Sequence, residues 1–404
     1  MVSCLGHDYE EVLKALSEGK SGVRAVPEWE GKGLKSLVAG MIDNLDEKKE
    51  LAKLSKKLTP AMSDSALYCS LAARDAVAEA GWDELLLHND RTGCIVGSGV
   101  GSVDSVKKAA DLYYSGRIRR SDPYTVLRCM ASSSSAAVAN LFKIKGRSYS
   151  LSSACATSAH NIGHAYELIR AGVLDRAITG GGEDAAELVA AAFQGLRLAL
   201  STHYNDTPTR ASRPFDAHRD GFVISGGGGI VVLEDLEQAL ARGARVRAEI
   251  IGYAANSDGF DLVLPEPEGA QAGACMRMAI KDAGIESERI DYVNTHGTST
   301  IHGDVAEVKG IKSTFDDRIP PFSSTKSMTG HGIGAAGALE LIFCIGMMEQ
   351  GFIAPSINVE TPDPVVEGLP VVTETRYQEL TTILSNNFGF GGTNASMVIR
   401  RFDG

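Results

Sequence analysis

Aromatic residues are scarce in this 404-residue chain: 6% in all, with two tryptophans. That composition disfavours a core of stacked rings and suits an α/β interior rich in Ala, Gly and Val. None of the seven cysteines (Cys4, Cys69, Cys94, Cys129, Cys155, Cys275 and Cys344) forms a CxxC pair. Their odd number and wide scatter exclude a disulfide framework and a zinc cluster, and point to the reducing cytoplasm. No apolar run of the roughly 18–20 residues needed to span a bilayer is expected, and the first residues lack a signal-peptide pattern. Positive charge is also short: 40 Lys and Arg against 51 Asp and Glu leave a net charge of −11. General binding to nucleic acid is therefore disfavoured. An acidic partner would need a local basic patch, and two candidates exist: Lys53, Lys56 and Lys57, and the tighter cluster of Arg117, Arg119 and Arg120.

Glycine is abundant, at 44 residues, and 44% of the chain is hydrophobic. The length suits two domains, or one large fold built from two similar halves. Helical patterns alternate with short apolar strands, the rhythm of an α/β fold. DYEEVLKALSEGKSG reads as a helix capped by Asp8, and residues 60–80 as a longer helix opened by Pro60. Strands are expected at GCIVGSG (93–99), RAITGGGE (176–183), RVRAEIIGYAA (245–255) and DYVNTHGTST (291–300). FVISGGGGIVVLEDL (222–236) reads as a hairpin-like segment, and LTTILSNNFGFGGTNASMVIRR (380–401) as two strands around a Gly-rich turn. These two stretches hint at an internal duplication, dividing the chain into halves 1–250 and 251–404.

The chemistry concentrates around Cys155, in SLSSACATSAH (150–160). An apolar, Ser-rich run, read as a strand, leads there into a helical pattern. A thiol at the first turn of a helix lies among unpaired N–H groups that favour an anion and lower its pKa. Three polar loops of the second half carry further reactive groups: NTHGTST with His296, Thr298 and Thr300; STKSMTGHGIG with Lys326 and His331; and NNFGFGGTN. Other signals fail. His160 and His164 share a helix face but no third metal ligand accompanies them, Gly97, Gly99 and Gly101 do not give GxGxxG, and Gly226–Gly229 lacks the Lys-Ser/Thr of a phosphate loop.

SSACATSAH, ASRPFDAHRDGFVISGGGG, NTHGTST, TKSMTGHGIGAAG and NNFGFGGTN, in this order and separation, resemble the β-ketoacyl-acyl carrier protein synthases. The likeness runs over residues 2–402 and is nearer to type I enzymes, since SACATSAH differs from the usual type II pattern. It implies a thiolase-like fold, two βαβαβαββ halves in α-β-α-β-α layers, in a cytoplasmic homodimer. The implied reaction is decarboxylative condensation of an acyl-enzyme with malonyl-acyl carrier protein. No cofactor is implied, because phosphopantetheine travels on the carrier protein; nor is a nucleic-acid or membrane partner. Cys155 would be the acylated nucleophile. His296 and His331 would bind the malonyl thioester oxygen. Lys326, paired with Glu307, would orient the site electrostatically. The N–H groups of Cys155 and Phe390 would form an oxyanion hole, with Phe390 also a gate. Thr298 and Thr300 would hold the phosphopantetheine arm, and Phe388 and Phe193 would contact substrate. Arg117, Arg119, Arg120 and Lys57 would dock the carrier protein. Asn294, Glu340, Ser385 and Asn386 match a monovalent-cation site.

Three features depart from the family pattern. The usual first strand, VVITGxGxVSxLG, is missing before MVSCLGHDYEEV, so the start is expected to be truncated or stability impaired. Pro60 stands where related enzymes carry a basic residue. FQGLRLALS (193–201) is one residue longer than usual, which leaves acyl-length preference open. Rival readings are a type II or polyketide synthase, distinguished by carrier and acyl length, and a non-catalytic chain-length subunit, which normally lacks the cysteine. A degradative thiolase would need a second catalytic cysteine in the last Gly-rich loop.

Overall fold

In a computed structural model the described residues are 1–403 except 44, 46–49, 51–53, 197 and 198. Lys53 and the centre of FQGLRLALS, residues 197 and 198, lie outside them. Two sheets organise the chain. The N-terminal sheet holds β1 (Thr92–Gly97), β2 (Ser148–Tyr149), β3 (Arg176–Glu183) and β4 (Gly227–Glu234) in the order β2-β1-β3-β4. The C-terminal sheet holds β5 (Ala248–Ser257), β6 (Tyr292–Asn294), β7 (Phe322–Ser323), β8 (Thr382–Gly389) and β9 (Thr393–Arg401) in the order β5-β9-β8-β6-β7. Each has three parallel strands followed by one antiparallel strand, so β2, β1, β3 and β4 correspond to β7, β6, β8 and β9.

That correspondence carries the duplication, though not through the segments the sequence suggested. β8 and β9 are a hairpin, whereas residues 222–236 are not. Residues 222–226 run as an isolated strand-like stretch bridged to Leu200, Gly40 and His331, and only Gly227–Glu234 joins the sheet, antiparallel to β3. The counterpart of the β8–β9 hairpin is the β3–β4 pair, whose connection is opened by residues 184–226.

Between the sheets lie α5 (Thr157–Arg170) and α9 (Ala336–Gln350), packed on each other and on strands of both halves. Outside, α2 (Asp64–Ala80) and α4 (Ser133–Leu141) cover the first sheet, and α7 (Ala270–Asp282) and α8 (Ile301–Phe315) the second. Three further helices, α1 (Tyr9–Ser17), α3 (Val103–Tyr114) and α6 (Glu187–Gln194), lie outside this central stack. The layering is α-β-α-β-α. α9 is apolar on every side, as a central-layer helix must be. Its stretch Ile333–Gln350 is, against expectation, long and apolar enough to cross a membrane, with mean hydropathy 1.3 over 18 residues, but 83% of it is buried in the protein. It is the core helix of this fold. α1 begins as read, with Asp8 accepting the Glu11 N–H at 3.0 Å. α2 begins later than Pro60: that residue sits in a preceding 3-10 turn, and Ser63 caps the helix through the Ala66 N–H.

Candidate active site

The loops that leave β2, β6, β7 and β8 meet at one place between the two sheets. The strand expected to lead toward Cys155 stops at Tyr149, because the serines after it bond sideways instead of along a ladder. Ser150 Oγ donates to the Val96 carbonyl (2.6 Å), Ser152 Oγ to the Ser98 carbonyl (3.1 Å), and the Ser153 N–H to Thr157 Oγ1 (2.9 Å). Cys155 then sits in a 3-10 turn, Ala154–Ala156, that feeds α5. Ala154 is held at φ +50°, a strain of about 1–3 kcal/mol of the kind found at functional sites. The sister loop after β7 repeats this geometry: Ile333, at φ +44°, opens the 3-10 turn Ile333–Ala335 ahead of α9.

His296 follows β6 on a loop tied down by Glu307 of α8, whose carboxylate accepts the N–H groups of His296 (2.8 Å) and Gly297 (2.7 Å). His331 follows the short helix Lys326–Thr329. Its N–H donates to the Val223 carbonyl (2.7 Å) and its carbonyl accepts from Ser225 (3.0 Å), which docks the loop on residues 222–226. Gly330 allows this: at φ +69°, a Cβ there would stand 2.9 Å from the Val223 oxygen.

One thiol and two imidazoles converge. Cys155 Sγ and a ring nitrogen from each of His296 and His331 lie within 4.8 Å of one another. The two rings meet edge to face, with centroids 5.2 Å apart. His296 Nδ1 and both nitrogens of His331 are buried without a hydrogen-bond partner in the protein, an expensive state unless a ligand uses them. Burial, with the charge of Lys326, holds both imidazoles well below their usual pKa, so they are neutral. These three residues are also the one group among the described residues whose donors could share a metal ion, although the Lys326 charge opposes a cation.

Two expectations need correction. The first concerns the thiol: burial pushes Cys155 up to about 12, against the pull of the Phe390 and Cys155 N–H groups and of Lys326. Desolvation outweighs the helix terminus, and α5 itself starts only at Thr157. The second concerns Lys326, which pairs with Glu340 of α9, not with Glu307. The other Glu340 oxygen accepts from Asn387 Nδ2 at 2.7 Å. Asn386 donates to Glu307 (3.3 Å) and accepts from Ser396 (2.8 Å), while Asn294 donates to Ser385 (3.2 Å). Asn294 Oδ1, by contrast, is buried without a hydrogen-bond partner in the protein.

A cavity of about 210 Å³ reaches the site, lined by Cys155, His296, Thr298, Thr300, His331, Phe388 and Phe390 among others. Thr298 and Thr300 bond each other through their hydroxyls at 3.0 Å. Phe390 packs on Phe193, centroids 6.0 Å apart, and Phe388 on His296, also 6.0 Å. Phe193 supports this wall from behind instead of lining the cavity. Phe222, against both Phe193 and His331, was not expected; its place in ASRPFDAHRDGFVISGGGG was the available signal. Nor was buried Glu183, which ends β3 and accepts from Ser98 Oγ (2.7 Å) and the N–H groups of Gly99 (2.7 Å) and Gly334 (3.1 Å). His160 and His164 are structural, bonded to Ser153 (2.6 Å) and Tyr149 (2.8 Å).

The basic residues lie at the surface. Arg117, Arg119, Arg120, Lys56 and Lys57 are exposed. The turn at Pro60 accepts a hydrogen bond from Arg128 through the Pro60 carbonyl.

Family models for the β-ketoacyl synthase N-terminal domain and C-terminal domain match residues 1–239 and 247–360. The chain belongs to the β-ketoacyl synthase family. It is 49% identical to 3-oxoacyl-[acyl-carrier-protein] synthase 1 of Haemophilus influenzae, over 100% of this chain and 98% of that one. The Escherichia coli K12 enzyme of the same name is also 49% identical, over 99% and 97%. A synthase 2 from Coxiella burnetii is 37% identical over 99% and 96%. A solved β-ketoacyl synthase from Burkholderia phymatum superposes with a TM-score of 0.92 at 35% identity, covering 99% of this chain and 97% of that one. The fold of this synthase is the thiolase-like one.

Proposed function

We propose that this synthase extends fatty acyl chains by two carbons, condensing an acyl group held on Cys155 with malonyl-acyl carrier protein. The observation that carries this reading is the convergence of the Cys155 thiol on two neutral, unpartnered imidazoles. In the first half-reaction the Cys155 sulfur attacks the acyl thioester; its C–S bond breaks and the carrier thiol leaves with the proton. In the second, malonyl thioester loses CO2 and leaves an enolate, whose oxygen accepts N–H bonds from His296 and His331. The enolate carbon attacks the acyl-Cys155 carbonyl, a C–C bond forms, the acyl C–S bond breaks, and the Cys155 sulfur leaves as the thiolate and takes a proton from solvent. Burial, helped by the charge of Lys326, keeps both imidazoles neutral and leaves each with one N–H to give. The N–H groups of Cys155 and Phe390, already directed at the sulfur, hold the oxyanion in both steps.

The sister half supports that last role. Gly334 occupies in its 3-10 turn the place that Cys155 occupies in its own, and its N–H donates to a carboxylate oxygen of Glu183 at 3.1 Å. The same backbone geometry thus already binds a carboxyl oxygen within this molecule.

The reaction needs no resident cofactor, since phosphopantetheine arrives on the carrier protein. Arg117, Arg119, Arg120 and Lys57 dock that acidic partner. The exposed apolar residues Val106, Tyr113, Tyr114, Ile118, Val126 and Leu127 form a homodimer face beside them. The seven free cysteines suit the cytoplasm. Intact-mass analysis after incubation with a series of acyl-acyl carrier proteins tests the reading and reports acyl preference. Acylation at Cys155, lost in Cys155→Ala, is expected; condensation surviving in that variant would refute it. A polyketide synthase would instead accept carriers and acyl groups outside the fatty acid series.

A further inference from the structure

The two 3-10 turns of the site are alike in backbone and unlike in what holds them. Aligned on Ala154 and Ile333, the positive-φ residues that open them, Ser153 corresponds to Gly332 and Cys155 to Gly334. The same bond closes both turns: the Ala156 N–H to the Ser153 carbonyl at 3.1 Å, and the Ala335 N–H to the Gly332 carbonyl at 2.8 Å. The sister turn is held from the front, where Glu183 accepts the Gly334 N–H. In front of the Cys155 turn lies the substrate cavity instead.

That turn is held from behind, through Ser153. The Ser153 N–H donates to Thr157 Oγ1 (2.9 Å), and its carbonyl also accepts from Thr393 Oγ1 of β9 (3.2 Å). Its hydroxyl lies 2.6 Å from Nδ1 of His160, on α5. The other ring nitrogen, Nε2, lies 3.3 Å from the carbonyl of Asn394, also on β9, the strand that follows the Phe390 turn. A carbonyl can only accept, so Nε2 carries the proton and the bare Nδ1 accepts the Ser153 O–H. Burial holds the ring below its ordinary pKa, which favours this neutral form. In the sister turn the matching residues are Gly332 and Leu339, and neither can make such a bond.

A residue with a Cβ persists at positive φ only where its surroundings over-determine it. Relaxation of Ala154 from φ +50° would swing the peptide that carries the Cys155 N–H. We propose that His160 is a positioning residue for acyl transfer: through Ser153 it holds the Cys155 turn so that the Cys155 N–H meets the acyl oxygen, and through Asn394 it ties that turn to the strand behind Phe390. This role presupposes Cys155 as the acyl acceptor, which the acylation of the parent chain tests separately.

The measurement is single-turnover acylation of the full chain by a saturating acyl-acyl carrier protein, read by rapid-quench intact mass. His160→Phe fills the same space with an apolar ring and loses both bonds; the rate should fall at least tenfold. His160→Asn sets an amide oxygen where Nδ1 stood and should recover most of that loss. Ser153→Ala removes only the hydroxyl and should fall as His160→Phe does, while the double variant should be no slower than either. Malonyl decarboxylation, which uses His296 and His331, should stay within threefold of the parent in all four variants. A parent chain left unacylated at Cys155 would refute the proposed function itself. With the parent active, a fall of less than tenfold in both His160→Phe and Ser153→Ala would overturn the role of His160. So would His160→Asn as slow as His160→Phe, additive losses in the double variant, or decarboxylation falling in parallel with acylation.

Discussion

Gly389 offers the sharpest probe of the oxyanion hole. It is the last residue of β8, one before Phe390, and its φ is not in the left-handed region, so alanine is conformationally acceptable there. The obstacle is space. A Cβ at this position would stand 2.8 Å from the Ser153 carbonyl oxygen, 3.2 Å from the Cys155 nitrogen and 2.6 Å from Thr393 Oγ1. The threonine can turn away, but the Ser153 and Cys155 atoms are backbone beside the nucleophile. Ordinary contact begins at 3.4 Å, so the two strands of chain must part by about 0.6 Å, the carbonyl contact being the tightest backbone one. A donor placed roughly 2.7–3.1 Å from an oxyanion is then carried past 3.3 Å, where the bond is largely lost. One such donor is worth ~2.7–4 kcal/mol in the transition state, a factor of about 10²–10³ in kcat. Gly389→Ala should therefore lower the single-turnover rate of Cys155 acylation by about that factor. Overpacking should cost ~1–3 kcal/mol of stability, leaving the protein folded. Thermal melting checks the second figure and rapid-quench intact mass the first. A folded Gly389→Ala variant acylating within about threefold of the parent would refute the role given to the Phe390 N–H.

Lys326→Met should leave Glu340 buried without its counter-charge and destabilise the fold by ~3–5 kcal/mol; adding Glu340→Met should restore the melting temperature without restoring condensation, and joint recovery would refute an electrostatic role for Lys326. His296 and His331 have folded pKa values far below 6.5, so the stability they contribute is present above pH 6.5 and lost as pH falls below it. Glu183 and Glu307, raised to about 7 from 4.5, act oppositely: their contribution is present below 4.5 and lost as pH rises through 7. Replacing both histidines with phenylalanine should thus flatten the loss of melting temperature between pH 6.5 and 5, and an unchanged slope would contradict their neutrality. Arg117→Glu with Arg119→Glu should raise KM for acyl carrier protein substrates severalfold, most at low salt; an unchanged KM would move the docking face elsewhere.

What the sequence made legible were short, chemically dense loops. Cys155, His296, Lys326 and His331 declared themselves because Ser, Thr and Gly runs after strands have few structural uses, whereas Phe390 was named only through the family resemblance. Partnerships were harder. Glu307 and Glu340 both lie on helices beside the site, and only the packing of α9 against the Lys326 loop decides which of them meets the ammonium. The thiol pKa was misjudged for a related reason, since a helix N-terminus is visible in sequence whereas the burial that outweighs it is not. The hairpin expected at 222–236 failed because its first residues serve His331 and its last serve β3.

The duplication explains why, among the described residues, one of the two matching turns is open and the other is filled. If β3 and β8 are aligned by their shared register, Glu183 falls opposite Gly389. In the first half the strand thus ends in a carboxylate, which fills the space before the 3-10 turn and satisfies the N–H groups of Gly99 and Gly334. In the second half it ends in hydrogen, which leaves the matching space beside Cys155 free for an acyl oxygen. Glu183 is in this sense a built-in ligand: its burial raises it to about 7 even while four donors hold it. A glutamate at position 389 should accordingly close the second site as Glu183 closes the first. Gly389→Glu is expected to abolish acylation of Cys155 while the N–H groups of Cys155 and Phe390 remain protected from hydrogen exchange. Loss of that protection would mean that the two turns, alike in φ, do not share an affinity for oxygen anions.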